Sequence, residues 1–186
     1  MERVRLVTWL EMAMMAALAV VFSMIKLFDM PQGGSVSLVM VPIALIAVRR
    51  GLWAGIITGV AVGVLQLFFG STVVHPVQLL LDYPLAFGAL GLAGLARHWI
   101  VEGRGKRILA LWGGLLAGVL VRFVCHFVSG IVWFGEYAPE GTPVALYSFV
   151  YNITYLLPEL IIAGVVLTVV MTSASSLLFP SRDRFA

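Results

Sequence analysis

The stretch "LLLDYPLAF", residues 79–87, leaves two readings of the chain open. It is apolar at nearly every position, yet it holds a carboxylate, Asp82, and a proline, Pro84. A charge at the centre of a membrane span costs about 2.5–3.5 kcal/mol on insertion scales. A proline inside a helix removes one hydrogen bond and crowds the preceding turn. Either the stretch is not membrane-embedded, or the charge and the break serve a site.

Composition places the stretch in a membrane. The chain has 186 residues, 61% of them hydrophobic and 11% charged. Soluble domains carry about 25% charged residues, so this chain lacks the polar surface to be soluble. It reads as a single integral membrane domain over 1–186, all-α. The net charge of +3 argues for membrane topology and against nucleic-acid binding, because of where the basic residues fall. Cys125 is the sole cysteine, which excludes an intrachain disulfide. Arg3 and Arg5 precede the first apolar run as in a secretory signal. That run is long and no small-x-small cleavage site follows, so it reads as a retained span.

Six apolar segments follow: 7–25, 36–48, 51–69, 76–96, 108–132 and 144–171. Ten of the twelve basic residues then sort to one side. Arg3 and Arg5 lie at the N-terminus and Arg49 and Arg50 between segments two and three. Arg97, Arg104, Lys106 and Arg107 lie between segments four and five, and Arg182 and Arg184 at the C-terminus. The positive-inside rule predicts six transmembrane helices with both termini cytoplasmic. Trp9, Trp53, Trp99 and Trp112 fall near the same side, as an aromatic belt would; Trp133 falls at the other.

The second segment is short. Thirteen residues of helix rise only about 20 Å, against a hydrocarbon core of about 30 Å. It follows "MPQGGS" (30–35) and contains Pro42. Interrupted spans point to binding sites in transporters, so 30–35 is either a lid dipping over an outer cavity or a plain Gly-rich turn. Gly51, Gly55, Gly59 and Gly63 recur every four residues, as do Ala13 and Ala17. Such ladders let helices approach closely, within the bundle or against another membrane subunit.

Helical rise sorts the intramembrane polar residues by depth. Asp82 lies roughly 9 Å in from the outer start of its segment, His126 about 9 Å from the outer end of segment five, and Asn152 about 12 Å into segment six. A carboxylate, an imidazole and an amide from three helices at one level predict one polar pocket open to the outside. Gln78 lies one turn above Asp82 on the same face. Glu11 and Glu159 lie deeper. Arg122 is expected to pair with a buried carboxylate, with Asp82 itself among the choices. Nearby aromatics (Tyr83, Trp133, Phe134, Tyr147, Tyr151) suit a flat or cationic ring. The inventory fits a flat, nitrogen-bearing organic cation. The sequence has no G-x-x-x-x-G-K-[ST] and no metal-spaced Cys/His cluster, so no resident cofactor or metal is expected. Ser129, three residues after His126, does not make a triad, and the chain does not read as an enzyme.

Four stretches carry a resemblance: "RLVTWLEMAMMAALAV" (5–20), "MPQGGSVSLVMVPIALIAVRRGLWAG" (30–55), "HPVQLLLDYPLAF" (75–87) and "HFVSGIVWFGEYAPEGTPVALYSFVYNITYLLPE" (126–159). With them the chain resembles the thiamine-specific substrate-binding (S) component of energy-coupling factor transporters, over nearly its whole length. The resemblance implies a six-helix, multi-pass protein of the prokaryotic cell membrane that captures thiamine from outside. Its implied partners are a transmembrane scaffold protein and two cytoplasmic ATPases, with toppling in the bilayer releasing the substrate inside. By motif it implies ligand contacts from Asp82, Tyr83, His126, Tyr147 and Asn152, stacking from Trp133 or Phe134, and scaffold docking through Ala13 and Ala17. It implies a lid at about 26–35. This chain has Gly33 and Ser37 where some members place a tryptophan and an acidic residue. The alternatives are an S component for another vitamin such as riboflavin, which is neutral and does not need Asp82, or a structural or assembly membrane protein.

Overall fold

A computed structural model of the chain describes residues 2–102 and 106–178. Arg104, Arg182 and Arg184 lie outside the described residues. Helix α1 spans Glu2–Met24 and is followed by a small antiparallel hairpin, β1 (Phe28–Asp29) and β2 (Ser35–Val36). Then come α2 (Met40–Arg50) and α3 (Leu52–Gln66). A continuous helical stretch from Pro76 to Glu102, called α4 below, changes its winding four times. Helices α5 (Arg107–Trp133) and α6 (Val144–Ser173) complete the bundle, with a last turn α7 (Ser175–Leu178).

Among the described residues four helical stretches are long and apolar enough to cross a membrane: Arg5–Met24, Pro76–Val101, Arg107–Trp133 and Val144–Ser173. Their outward faces are apolar, with Met14, Leu109, Leu120, Val124, Leu157 and Val165 all exposed. A soluble protein does not leave such continuous apolar faces in water, whereas lipid chains cover them at no cost.

Helix α2 starts at Met40, four residues later than the apolar segment, and has 11 residues. Its shortness follows from its place. Met40, Ile43, Ile46 and Val48 are 0% exposed, so α2 sits in the middle of the bundle. A helix that is apolar all round is one that is buried all round. Gly51 alone joins α2 to α3, with φ 100°, a conformation costly for any residue with a Cβ.

The glycine ladder is consumed inside the bundle. A Cβ on Gly55 would lie 2.8 Å from the Gly91 Cα, one on Gly59 2.9 Å from the Gly88 Cα, and one on Gly63 2.9 Å from the Pro84 Cα. Helix α3 therefore packs backbone to backbone on α4, and this ladder is not a docking face. Trp112 also departs from expectation. Its ring packs over Gly164 and its Nε1–H donates to Thr168 Oγ1 at 3.2 Å, so it clamps α5 to α6. Trp9, Trp53 and Trp99 are exposed, as belt residues are. At the same end Glu11 accepts from both Arg49 (2.9 Å) and Arg50 (2.6 Å), tying α1 to the end of α2.

Candidate functional site

Pro84 has no N–H to offer the Leu80 carbonyl. The chain responds by widening rather than only bending. Leu81–Leu85 form a π-helical turn, closed by the Ala86 N–H donating to Leu81 O. Single π turns inside α-helices recur at functional sites. Asp82 lies within this one. The expected local bend is thus a change of winding, and it lies beside the cavity.

That cavity, about 320 Å³, is lined by α4, α5, α6, the β1–β2 hairpin, the C-terminal ends of α1 and α3 and the loop 69–72, within the size range of small-molecule sites. Gln78, Asp82 and Tyr83 line it from α4, His126 and Phe134 from α5 and its C-cap, and Tyr147 and Asn152 from α6. Trp133 is placed elsewhere: its ring stacks on His75, centroids 5.2 Å apart, and it is not among the lining residues. Of the two candidate stacking rings, Phe134 is the one at the cavity wall.

Asp82 is held by three donors. Gln78 Nε2 donates to Oδ2 at 2.8 Å, Ser129 Oγ to Oδ2 at 2.6 Å, and His126 Nδ1 lies 3.0 Å from Oδ1. Arg122 Nε lies 3.3 Å from the other imidazole nitrogen and has only a proton to give. With a donor at Nε2, the ring is the neutral tautomer that donates from Nδ1 to Asp82. Gln78 is itself anchored, its Oε1 accepting from Val74 N and its Nε2 also donating to Thr72 O, each at 3.1 Å. Tyr83 Oη donates to the same Thr72 carbonyl at 3.1 Å. The loop before α4 is thereby pinned to the residues that set the carboxylate.

Arg122 does not take Asp82. Its Nη1 donates to Glu159 Oε2 at 3.0 Å, and its Cζ lies 4.6 Å from the Phe87 ring centroid. The expected structural ion pair is this one. Ser129, weighed in the sequence only as a nucleophile, serves instead as a donor to Asp82. Its spacing of three from His126 was the available signal, since i and i+3 share a helix face.

The amide of Asn152 is oriented on α6. Nδ2 donates to Ser148 O at 2.8 Å, and Oδ1 accepts from Tyr155 Oη at 2.9 Å. Tyr147 Oη meets Gln32 Oε1 at 3.5 Å. The stretch 30–35 is more than a surface turn, since it borders the cavity. Gln32, Gly33, Gly34 and Ser35 line the cavity, and the amides of Gln32 and Gly34 both donate to Tyr151 Oη at 3.2 Å. Gly33, at φ 97°, makes the turn. Gly34 has no room for a side chain, because a Cβ there would lie 2.8 Å from the Tyr155 ring. A Lys26–Asp29 ion pair at 2.8 Å staples the hairpin's base at the rim.

Residues 9–179 match the model of a family described as thiamine transporter protein. The chain is 42% identical over 182 residues to the thiamine transporter ThiT of Bacillus subtilis (strain 168), covering 94% of this chain and 95% of that one. It is 34% identical to the thiamine transporter ThiT of Lacticaseibacillus paracasei, covering 96% and 93%. Its structure is similar to that of ThiT from Listeria monocytogenes, with a TM-score of 0.87 and 31% identity over 95% of this chain and 99% of that one.

Proposed function

The chain belongs to the thiamine transporter protein family, and we propose that the cavity beneath its hairpin is the thiamine site. It is a multi-pass protein of the cell membrane that serves transport and not catalysis. The observation that carries the site assignment is the state of Asp82. It is a carboxylate in a cavity wall, held by neutral donors, while the nearby cation Arg122 is paired with Glu159. Such a carboxylate suits a ligand that brings one positive charge, and thiamine's thiazolium ring is a permanent monocation. Phe134 stacks on a ring of the ligand. Tyr147 and Asn152 bond its polar atoms, and His126, its two nitrogens engaged by Asp82 and Arg122, sets the wall around Asp82 with Gln78 and Tyr83. Six helices cross the bilayer, four alone long enough to span, with the short α2 buried among them and the short α3 packed on α4 with an exposed apolar outer face, and both termini are in the cytoplasm. The clustered basic residues at one end support that orientation.

Calorimetric titration of the purified protein tests the assignment. Thiamine is expected to bind saturably at submicromolar concentration, and neutral riboflavin is expected not to compete. Riboflavin binding in place of thiamine would overturn it.

Uptake is proposed to need a transmembrane scaffold and two cytoplasmic ATPases, since six spans without a nucleotide motif have no evident energy source. Ala13 and Ala17 are exposed on α1, one turn apart, which supports their use as the scaffold-docking face. Replacing both by Leu is expected to leave thiamine affinity within about threefold, since small surface changes cost little, and to abolish co-purification with the scaffold. Normal co-purification of this variant would remove the docking role.

A further inference from the structure

Arg122 is a buried cation separated from Asp82 by a single imidazole. Its Nε lies 3.3 Å from His126 Nε2, and His126 Nδ1 lies 3.0 Å from Asp82 Oδ1. A guanidinium is always charged and well shaped to take a carboxylate. Left free, it would pair with Asp82 and cancel the charge a cationic ligand needs. We infer that Glu159 determines the cavity's preference for a cation by sequestering Arg122. This inference rests on the reading of Asp82 as the counter-charge for thiamine.

The geometry is specific. Glu159 is 1% exposed and both its oxygens are used. Oε2 accepts from Arg122 Nη1 at 3.0 Å. Oε1 accepts from the Ser37 amide at 3.1 Å and the Ser37 hydroxyl at 3.0 Å. With Oε1 held by Ser37, the carboxylate cannot rotate away from Arg122. The Phe87 face lies against the guanidinium at 4.6 Å, a favourable place for a desolvated cation. Arg122 is itself at the cavity wall, and three contacts, to Glu159, His126 and Phe87, hold its guanidinium there short of Asp82.

The charges of the wall then sum to a purpose. Glu159 cancels Arg122, and Asp29 cancels Lys26 at the rim. Asp82 is the carboxylate left over, and its charge is the one a monocation finds. In a low-dielectric cavity, a cation moved within reach of Asp82 changes ligand affinity by an order of magnitude or more. Glu159 borders the cavity, but both its oxygens are taken by Arg122 and Ser37. It is a positioning residue, acting through Arg122.

Thiamine titrations of four proteins test this. Wild type binds. Glu159→Gln keeps an oxygen for Ser37 but loses the charge that holds Arg122, and its affinity is expected to fall about 30- to 100-fold. Arg122→Gln combined with Glu159→Gln is expected to recover to within about fivefold of wild type. It removes both charges together, and the amide put in place of the guanidinium can still donate to His126. Ser37→Ala, which removes only part of the tether, is expected to change affinity by less than about threefold. A merely structural Glu159 predicts no recovery in the double variant, and that result would overturn the inference. So would wild-type affinity in Glu159→Gln. If Glu159→Gln is not recovered folded, the double variant decides, since a loss above about 30-fold there overturns the inference. Absence of thiamine binding by wild type would instead bring down the ligand assignment, and this inference with it.

Discussion

Asp82→Asn is expected to weaken thiamine binding by at least about 30-fold while leaving the protein folded. The carboxylate accepts from Gln78, Ser129 and His126. An asparagine oxygen can keep part of that set, and its size is nearly unchanged. What it loses is the charge. Removing one partner of a desolvated charge pair costs about 2–5 kcal/mol, which is roughly 30-fold to several-thousand-fold in affinity. The amide's nitrogen also turns a donor toward groups that are donors themselves, a further cost of an unmatched buried polar group. Calorimetric titration reads the affinity, and thermal unfolding checks the fold. Equal affinity in Asp82→Asn would remove Asp82 from the site. A lost fold with retained binding in the residual monodisperse fraction would make its role structural.

Gly59→Val is expected to destabilise the protein by at least about 3 kcal/mol, with most of the chain lost to aggregation. The new Cβ would lie 2.7 Å from the Phe87 carbonyl carbon and 2.9 Å from the Gly88 Cα. These are backbone atoms of α4, so no side chain can swing aside. Relief requires separating α3 from α4 along their length, and the π turn that carries Asp82 is part of that contact through Gly63. Gly113→Ala is the control. A Cβ there meets nothing within 4 Å, and the change should shift stability by no more than about 1 kcal/mol, in the stabilising direction a helix gives alanine over glycine. Monodisperse yield and unfolding temperature distinguish the two. A Gly59→Val protein that behaves as wild type would show that α3 and α4 are not packed this closely.

Much of the site was legible in the sequence. Depth along three apolar segments placed Asp82, His126 and Asn152 at one level, and all three line one cavity. Helical rise is constant, so depth transfers directly from residue count. Rotation does not. Trp133 and Phe134 are adjacent in sequence, and the segment length could not say which faces inward. One residue of helix is about 100° of turn. Here Trp133 points to His75 and Phe134 reaches the cavity. That 30–35 borders the cavity was legible only as one of two readings. The anchoring of this stretch by Tyr151 Oη joins residues 117 and 119 positions apart, which no local pattern marks. Trp112 was assigned to the interfacial belt by position, and the gap over Gly164 that receives its ring exists only when α5 meets α6.

Composition and patterning alone set the solvent and the elements. A chain this apolar must satisfy its backbone internally, so it is helical; its basic loops marked the cytoplasmic side, and its motif stretches carried the resemblance to a thiamine-transporter family. Which side chains meet was settled by packing in three dimensions. Lipid is as apolar as the bundle interior, so hydrophobicity does not choose which face of a helix turns inward. Close glycine packing and buried polar pairs choose it. They place Asp82 against His126 and Ser129, and Arg122 against Glu159. The charge in "LLLDYPLAF" is left facing the cavity because a second carboxylate, Glu159, far along the chain on α6, holds the arginine.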